Sequence, residues 1–300
     1  MKISVIIPCR NEEHNIAKVY AALVNDLKDM KYEIIYIDDG STDNTYLEMA
    51  NVYQKDKKHV KVISFSRTFN KDAALLAGIN YAEGDYLCLF SSKYYANTKD
   101  ILAMADYLED NQNIDQVVAV LNHPVNRFED LMIKLINKLS LQKINAQPVA
   151  FRLINQRLGE ALLKVTERER FTEGLFSWLG YPSKTIVFED NSNNEISKIS
   201  LLKRWRYTIN SIVKHTTKPL LIAKYIGFWL IILDLIYLIY CLFNSIETYQ
   251  TITIIILFLI GMQFICLGII SEYLAQIYWE TKNRPNYLIR DKLGFDDNIL

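Results

Sequence analysis

Short runs rich in β-branched and aromatic residues alternate with longer amphipathic stretches through the first 111 residues. The short runs predict four strands, at Ile3–Ile7, Glu33–Ile37, Val60–Phe65 and Tyr86–Phe90. Apolar residues at helical spacing predict helices between and after them, at Ile16–Lys28, Ser41–Tyr53, Lys71–Ala82 and Asp100–Asn111. This order is typical of a mostly parallel sheet covered on both faces by helices. The fold class is therefore α/β.

Three polar segments follow predicted strands directly, at Cys9–Glu12, Asp38–Thr45 and Ser91–Lys93. In an open parallel sheet, ligands bind at the carboxyl ends of the strands. We therefore expect these segments to meet in one ligand site.

Helical periodicity continues in the second half of the chain. Glu129–Ile144 predicts an amphipathic helix that packs on the sheet, with a helix on a membrane surface as the alternative. Ser197–His215 carries an apolar stripe flanked by lysines and arginines, which favours an interfacial helix. Tyr225–Phe243 and Thr251–Ile270 are each long and apolar enough to cross about 30 Å of hydrocarbon, and two buried core helices are the alternative.

The charges around these two spans predict their orientation. The loop Asn244–Gln250 has no Lys or Arg, whereas basic residues lie before and after the pair of spans. Because positively charged flanks favour the cytoplasm, both ends of the chain are expected there, in a multi-pass protein of the plasma membrane. Asp234, within the first span, indicates a membrane partner, a homo-oligomer contact or a catalytic role. The apolar run at Ile3–Ile7 is too short for a signal peptide.

Composition limits the partners. The 300 residues include 34 Lys and Arg and 34 Asp and Glu, so the net charge is zero. No overall positive electrostatic potential is expected to attract nucleic acid. The four cysteines are widely spaced, without a metal-binding pattern, and are expected to be reduced and buried.

Two motifs carry the candidate chemistry. Pro8–Ile16 reads PCRNEEHNI after the first strand, and Asp38–Thr45 reads DDGSTDNT after the second. Carboxylates at Asp38 and Asp39 can accept hydrogen bonds from a nucleobase and from ribose hydroxyls. The alternative is turn and capping chemistry, with Ser41 or Thr42 as the N-cap of the following helix.

The two strings resemble the P-x-x-N-E-x-x-N-I and D-D-G-S-x-D-x-T motifs of the family 2 glycosyltransferases. Phe65–Gly78 is similar to the segment before the metal-binding strand in the branch that holds dolichyl-phosphate mannose synthases and bactoprenol glucosyltransferases. The likeness extends through Glu167–Phe171 to the tail around Arg284 and Pro285, and so covers essentially the whole chain.

The resemblance implies a GT-A Rossmann-like domain that transfers a sugar from a nucleotide diphosphate sugar to a polyprenyl phosphate, such as undecaprenyl phosphate, on the cytoplasmic face. It implies a GT-A domain over residues 1–195, a basic juxtamembrane amphipathic helix over 196–218, two transmembrane helices over 219–271 and a cytoplasmic tail over 272–300. The expected partners are the nucleotide sugar, the lipid carrier and the membrane.

The sequence departs from the family at the metal site. Where the family carries a D-x-D motif that holds Mg²⁺ or Mn²⁺, Ser91–Lys99 reads SSKYYANTK. Serine hydroxyls are weak ligands for a hard cation and Lys93 repels it, so no metal cofactor is expected. The family's Gly-Asp before Phe151 is replaced by Val149 and Ala150, so the acceptor side is altered as well.

Two hypotheses remain open. In the first, the chain is an enzyme in which Lys93 replaces the metal as a fixed cation. In the second, it is an inactive paralogue that binds nucleotide sugar or lipid carrier and regulates or scaffolds an active glycosyltransferase or flippase. The enzyme hypothesis assigns residues to three roles: Lys93, Arg170 and Lys198 to catalysis; Pro8, Glu12, Asp38, Asp39 and Lys71 to the donor nucleotide; Arg152, Arg170 and Lys198 to the acceptor phosphate.

Overall fold

The computed structural model describes residues 1–121, 149–165, 172–188, 248–281 and 285–295. Several predictions fall outside these ranges: the amphipathic helix at Glu129–Ile144, the interfacial helix at Ser197–His215 and the first membrane span at Tyr225–Phe243. The candidate residues Arg170 and Lys198 also lie outside them.

Strands and helices alternate through the first 110 residues, as the hydrophobic pattern predicts. The strands are β1 (Lys2–Cys9), β2 (Lys31–Asp38), β3 (Val60–Phe65), β4 (Tyr86–Leu89), β5 (Gln116–Leu121), β6 (Val149–Asn155), β7 (Ser183–Phe188) and β8 (Ile289–Leu293). The helices are α1 (Ile16–Leu27), α2 (Thr45–Lys55), α3 (Lys71–Tyr81), α4 (Asp100–Asp110), α5 (Gln156–Lys164), α6 (Thr172–Leu179) and α7 (Thr248–Thr281), with a 3-10 helix at Ser92–Asn97.

The described strands form one mostly parallel sheet in the order β7-β5-β6-β4-β1-β2-β3-β8. Strands β4, β1, β2 and β3 are parallel neighbours, and β5 runs parallel to β7. Two strands run against their neighbours: β6 between β4 and β5, and β8 at the edge beside β3. The sheet therefore has the predicted α/β class, with antiparallel additions on both sides of its parallel centre.

The central strands bury both faces, because side chains alternate across a strand. Ile3 and Val5 of β1 pack with α1, α2 and α4 in one apolar cluster. Ile6, on the opposite face, packs with α3, α5 and α6 in a second cluster. Continuous apolar runs are characteristic of strands covered on both faces, so the layered core follows from the sequence.

The predicted N-cap of the second helix is wrong. Helix α2 begins at Thr45, with Asn44 as its N-cap residue, rather than at Ser41 or Thr42. Ser41 and Thr42 instead lie in the loop after β2, where they bond to the loop after β1. Their hydrogen bonds to another segment replace the local capping bonds that the sequence pattern favours.

Helix α7 contains the second predicted membrane span, Thr251–Ile270. Across the described ranges, no helix combines the length and the apolar character needed to cross a membrane. The prediction of a transmembrane helix at Thr251–Ile270 is therefore not supported by the described structure. Strand β8 belongs to the same compact unit as the other strands, whereas α7 belongs to a second unit.

Candidate functional site

The two sequence motifs start side by side at the carboxyl ends of β1 and β2. In the parallel register of these strands Pro8 is opposite Ile37, and Cys9 is opposite Asp38. The Asp39 amide donates to the Cys9 carbonyl at 3.0 Å, which extends the pairing by one residue. The loops that follow the two strands are thereby held next to each other.

Asn11 joins the two loops. Its backbone amide donates to the Ser41 hydroxyl at 3.1 Å, and its side-chain oxygen accepts the Thr42 amide at 2.9 Å. Asn11 has φ of +54°, a left-handed conformation that asparagine tolerates better than most residues. The asparagine of the first motif therefore both shapes its own turn and fixes the second motif.

A second set of contacts ties Glu12 and Glu13 to the start of α2. The Glu12 amide donates to the Thr45 hydroxyl at 2.7 Å, and that hydroxyl donates to Asp43 at 2.6 Å. Glu13 accepts the Asn44 amide at 2.9 Å. Burial alone would raise the pKa of Asp43, but the hydrogen bonds from the Thr45 hydroxyl, the Thr45 amide and the Glu13 amide outweigh it and lower that pKa. Asp43 is therefore ionised, and its carboxylate links the two loops by accepting hydrogen bonds from both.

The Asp38 carboxylate lies at the end of β2 and is covered by protein. Its Oδ1 accepts the Ser41 amide at 2.9 Å, and its Oδ2 accepts the Ser64 hydroxyl at 2.9 Å. The Arg290 guanidinium lies 3.9 Å from Oδ2, and 1% of the Asp38 side chain is exposed. Asp38 thus belongs to a buried polar network at the position where a nucleoside is expected.

Asp39 fixes the loop between β3 and α3. Its Oδ1 accepts the Phe69 amide at 2.6 Å, and its Oδ2 accepts the Thr68 hydroxyl at 3.0 Å and the Asn70 amide at 3.2 Å. The side chain is buried. The same loop approaches Gly40, where an added Cβ would meet the Arg67 carbonyl carbon at 2.5 Å.

Glu12 is the donor-site candidate with the most open carboxylate. It is half-buried, and its Oε2 accepts the Asn15 side-chain amide at 2.9 Å. Among the described residues, Oε1 has no hydrogen-bond partner. Burial, followed by the nearby charges of Glu12 and Asp38, raises the pKa of the Cys9 thiol, so Cys9 remains a neutral thiol beside them.

The segment that replaces the family's metal-binding motif follows β4. Its backbone turns into the 3-10 helix at Ser92–Asn97, which includes Lys93, and Ser92 is buried. In the described part of the chain, no three His, Cys, Asp or Glu side chains are grouped closely enough to hold a metal ion. Because proteins hold Mg²⁺ and Mn²⁺ beside a diphosphate with one or two carboxylates, the neutral hydroxyls of Ser91 and Ser92 do not fit the family's metal.

Two described candidates remain, Arg152 in β6 and Lys71 at the start of α3. Arg152 lies in β6, where its Nη1 donates to the Gln116 side chain at 2.7 Å and its guanidinium lies 3.7 Å from the Phe176 ring centre. It is buried, so its role in acceptor binding stays a prediction. Lys71 is the exposed first residue of α3.

Sequence analysis missed Arg290 and Ser64. In the sequence, Arg290 is one of the basic residues that follow the predicted membrane spans, and Ser64 lies within the predicted strand Val60–Phe65. Neither position indicates a role in the site. The available signal was the apolar–polar pattern of Ile289–Leu293, which is too short to separate a strand from a tail.

Comparison with known proteins agrees with this geometry. Residues 4–163 match the model of glycosyl transferase family 2, and residues 218–277 match that of the GtrB C-terminal hairpin. The chain is 34% identical to the putative glycosyltransferase CsbB of Bacillus subtilis, over 96% of this chain and 91% of that protein. It is 30% identical to the SfII prophage-derived bactoprenol glucosyl transferase of Shigella flexneri, over 97% of this chain and 98% of that protein.

A solved structure shares the fold. Glucosyl-3-phosphoglycerate synthase from Mycobacterium tuberculosis, in complex with Mn²⁺, uridine diphosphate and phosphoglyceric acid, aligns with a TM-score of 0.51 at 18% identity. The alignment covers 71% of this chain and 76% of that chain. With the interlocked motifs after β1 and β2 and the family match over residues 4–163, this chain belongs to glycosyl transferase family 2 and to its bactoprenol glucosyltransferase-like branch.

Proposed function

We propose that this protein transfers a sugar from a nucleotide diphosphate sugar to a polyprenyl phosphate carrier. The observation that carries the proposal is similarity along nearly the whole chain to a protein named bactoprenol glucosyl transferase. The interlocked loops at Asn11–Glu13 and Ser41–Thr45 support it, because they build the donor end of the sheet from the residues of both family motifs. The nature of the sugar and of the base is left to experiment.

The reaction is a displacement at the anomeric carbon of the sugar. An oxygen of the acceptor phosphate forms a bond to that carbon, and the bond from the carbon to the donor diphosphate breaks. The electron pair leaves with the nucleoside diphosphate, so negative charge grows on the leaving group. Fixed positive charges at the diphosphate stabilise that transition state.

We assign the required cations to lysine and arginine side chains. Lys93, in the segment that replaces the metal-binding motif, and Lys71, at the start of α3, neutralise the diphosphate. Arg170 and Lys198 hold the acceptor phosphate. For Arg152, which is engaged by Gln116 and Phe176, the proposed contribution is a fixed positive charge rather than a direct contact. Glu12, Asp38 and Asp39, with Pro8 at the strand end, organise the nucleoside site.

We further propose that residues 218–277 attach the protein to the plasma membrane, with the family 2 domain on the cytoplasmic side. The match to the GtrB C-terminal hairpin supports this placement. Large apolar side chains along α7 are exposed, which suits contact with lipid or with a membrane partner, including a second copy of the chain. They include Ile252, Ile256, Phe258, Leu267 and Leu274.

A second function remains a candidate because of one observation. The residues at Ser91–Lys93 do not fit the divalent cation that the family uses, and loss of that cation can abolish turnover while nucleotide binding persists. In that case the protein binds nucleotide sugar or lipid carrier and regulates or scaffolds an active glycosyltransferase or flippase.

The deciding experiment is transfer by the detergent-purified full-length protein. It is incubated with undecaprenyl phosphate and a panel of labelled nucleotide sugars, with Mn²⁺ or with EDTA, and label is extracted into organic solvent. We expect extraction to be equal with Mn²⁺ and with EDTA. Strict dependence on Mn²⁺ would contradict the assignment of Lys93, and no extraction from any donor, beside an active relative in parallel, would favour the regulatory function.

A further inference from the structure

Strand β8 brings a cation to the donor end of the sheet from the far end of the chain. Arg290 Nη2 donates to the Ser64 hydroxyl at 2.9 Å, across a separation of 226 residues in sequence. The strand pairs antiparallel with β3. The start of β8 therefore lies beside the carboxyl end of β3. This is the same end of the sheet as the two motif loops.

An irregularity in this pairing directs Arg290 toward the site. Asp291 pairs with Ser64, but the next pair joins Phe65 to Ile289, so Arg290 is an extra residue on its strand. A bulge of this kind re-aims a side chain. Arg290 and Asp291 consequently contact the same residue, Tyr46: the guanidinium lies 5.3 Å from the ring centre, and the Tyr46 hydroxyl donates to Asp291.

Side chains of β8 alternate between the two faces of the sheet, and Lys292 keeps this alternation whereas the bulge interrupts it at Arg290. The Lys292 ammonium group lies 5.3 Å from the ring centre of Tyr81, in α3. Helices α2 and α3 cover opposite faces of the sheet. The bulge therefore places both Arg290 and Asp291 on the α2 face, and leaves Lys292 on the other.

Arg290, Ser64 and Asp38 form a relay of polar contacts. The Ser64 hydroxyl accepts from Arg290 and donates to Asp38 Oδ2 at 2.9 Å, while the guanidinium lies 3.9 Å from that same oxygen. A buried carboxylate is costly unless a cation and hydrogen bonds accompany it. Arg290 supplies the cation, and 54% of its side chain remains exposed at the donor end.

We propose that Arg290 is a positioning residue of the donor site, which orients the Ser64 hydroxyl and the Asp38 carboxylate for binding the nucleoside part of a nucleoside diphosphate. The C-terminal strand is then part of the donor site rather than a tail. This inference rests on the proposed function, because it takes Asp38 as the nucleoside-binding carboxylate.

The test uses the full-length protein in detergent and four variants: Arg290→Ala, Arg290→Lys, Ser64→Ala and the double variant Arg290→Ala/Ser64→Ala. Lys292→Ala is the matched control, a cation of the same strand on the opposite face. Calorimetry measures binding of uridine, guanosine, thymidine and adenosine diphosphates, and the transfer assay gives KM for donor and acceptor separately, together with kcat.

Arg290→Ala is expected to weaken nucleoside diphosphate binding and to raise the donor KM by about tenfold, the value of a hydrogen bond with a charged partner. The acceptor KM and kcat should change far less. Arg290→Lys should be intermediate, because it keeps the charge and loses the planar guanidinium. The double variant should lose no more than the larger single effect, since the two side chains act as one unit.

Unchanged nucleotide binding in Arg290→Ala would overturn the inference while leaving the proposed transfer intact. Equal losses in Lys292→Ala would overturn it too, because they would reflect a general weakening of β8. Additive effects of Ser64 and Arg290 would refute the relay. A wild-type protein that binds none of the nucleotides and transfers no sugar would overturn both this inference and the proposed function.

Discussion

Asp39 accepts the backbone amide of Phe69 at 2.6 Å, and this contact joins the second family motif to the loop that leads into α3. The other Asp39 oxygen accepts the Thr68 hydroxyl at 3.0 Å. Because the carboxylate is buried, these protein donors are satisfied by Asp39 rather than by water. Asp39 therefore organises this loop through the protein's own hydrogen-bond donors.

Replacement of Asp39 by alanine is expected to lower the free energy of unfolding by about 3 kcal/mol, since it leaves several donors buried without an acceptor. Asp39→Asn should lose less, because the amide oxygen can still accept from Phe69. Urea unfolding of the purified protein measures both. Equal stability of Asp39→Ala and wild type would show that the loop finds other acceptors.

At Gly40 the loop after β2 approaches the backbone of the loop after β3 closely. Gly40 has φ of +63°, and an added Cβ would lie 2.5 Å from the Arg67 carbonyl carbon and 2.6 Å from the Thr68 nitrogen. Because these are backbone atoms, Gly40→Ala is expected to cost more than about 3 kcal/mol of stability, through overpacking and left-handed strain together. The measurement is again urea unfolding, with nucleotide binding as a second readout.

Gly180→Ala is the matched control for backbone strain. Gly180 has a similar φ of +68°, but the nearest atom to an added Cβ is the Trp178 oxygen at 3.9 Å. Only the conformational cost of about 1–2 kcal/mol applies there. Equal losses at the two glycines would mean that the contact with the Arg67–Thr68 backbone does not constrain the site.

The parallel centre of the fold follows from the sequence because each strand carries its own apolar run. Val60–Phe65 has the same bounds in prediction and structure, and Lys2–Cys9 extends its prediction by one residue at its start and two at its end. The interlock through Asn11 could not be predicted, since hydrogen bonds between two loops leave no periodic signal. Nor could β8: a five-residue strand becomes stable only by pairing with β3, more than 220 residues earlier in the chain.

Glu33 lies at the centre of a polar network that includes Ser4, Lys61, Glu83 and Lys2. Its Oε1 accepts the Ser4 hydroxyl at 2.6 Å and the Glu83 amide at 2.7 Å, and Lys61 Nζ lies 3.0 Å from Oε2. Burial alone would raise the pKa of Glu33, but the hydrogen bonds from Ser4, Glu83 and Lys61, with the Lys61 charge, lower it overall. The folded state therefore favours the ionised form.

Because the pKa of Glu33 is lower when folded, its contribution to stability is present above the ordinary glutamate pKa of about 4.3. That contribution is lost as pH falls through the folded-state pKa. Glu33→Gln should accordingly be less stable than wild type by about 2 kcal/mol at pH 7, with the difference shrinking as pH falls below about 4. Urea unfolding at several pH values measures it. Glu160→Gln, at an exposed position of α5, is the control, and a difference that stays constant with pH would contradict the assignment.

Lys93→Ala tests whether a lysine has replaced the metal of the family. Growing negative charge on the leaving diphosphate needs a compensating cation, and removing one preorganised electrostatic group typically slows the chemical step by about a hundredfold or more. We expect that loss in kcat, with the free energy of unfolding unchanged. Lys99→Ala, an exposed lysine just before α4, controls for a general loss of positive charge and should transfer normally.

Activity that persists unchanged in Lys93→Ala would remove Lys93 from the mechanism. Loss of activity that Mn²⁺ restores would instead mean that a metal ion can still take the place of the lysine, although no carboxylate remains at Ser91 or Ser92 to hold it tightly.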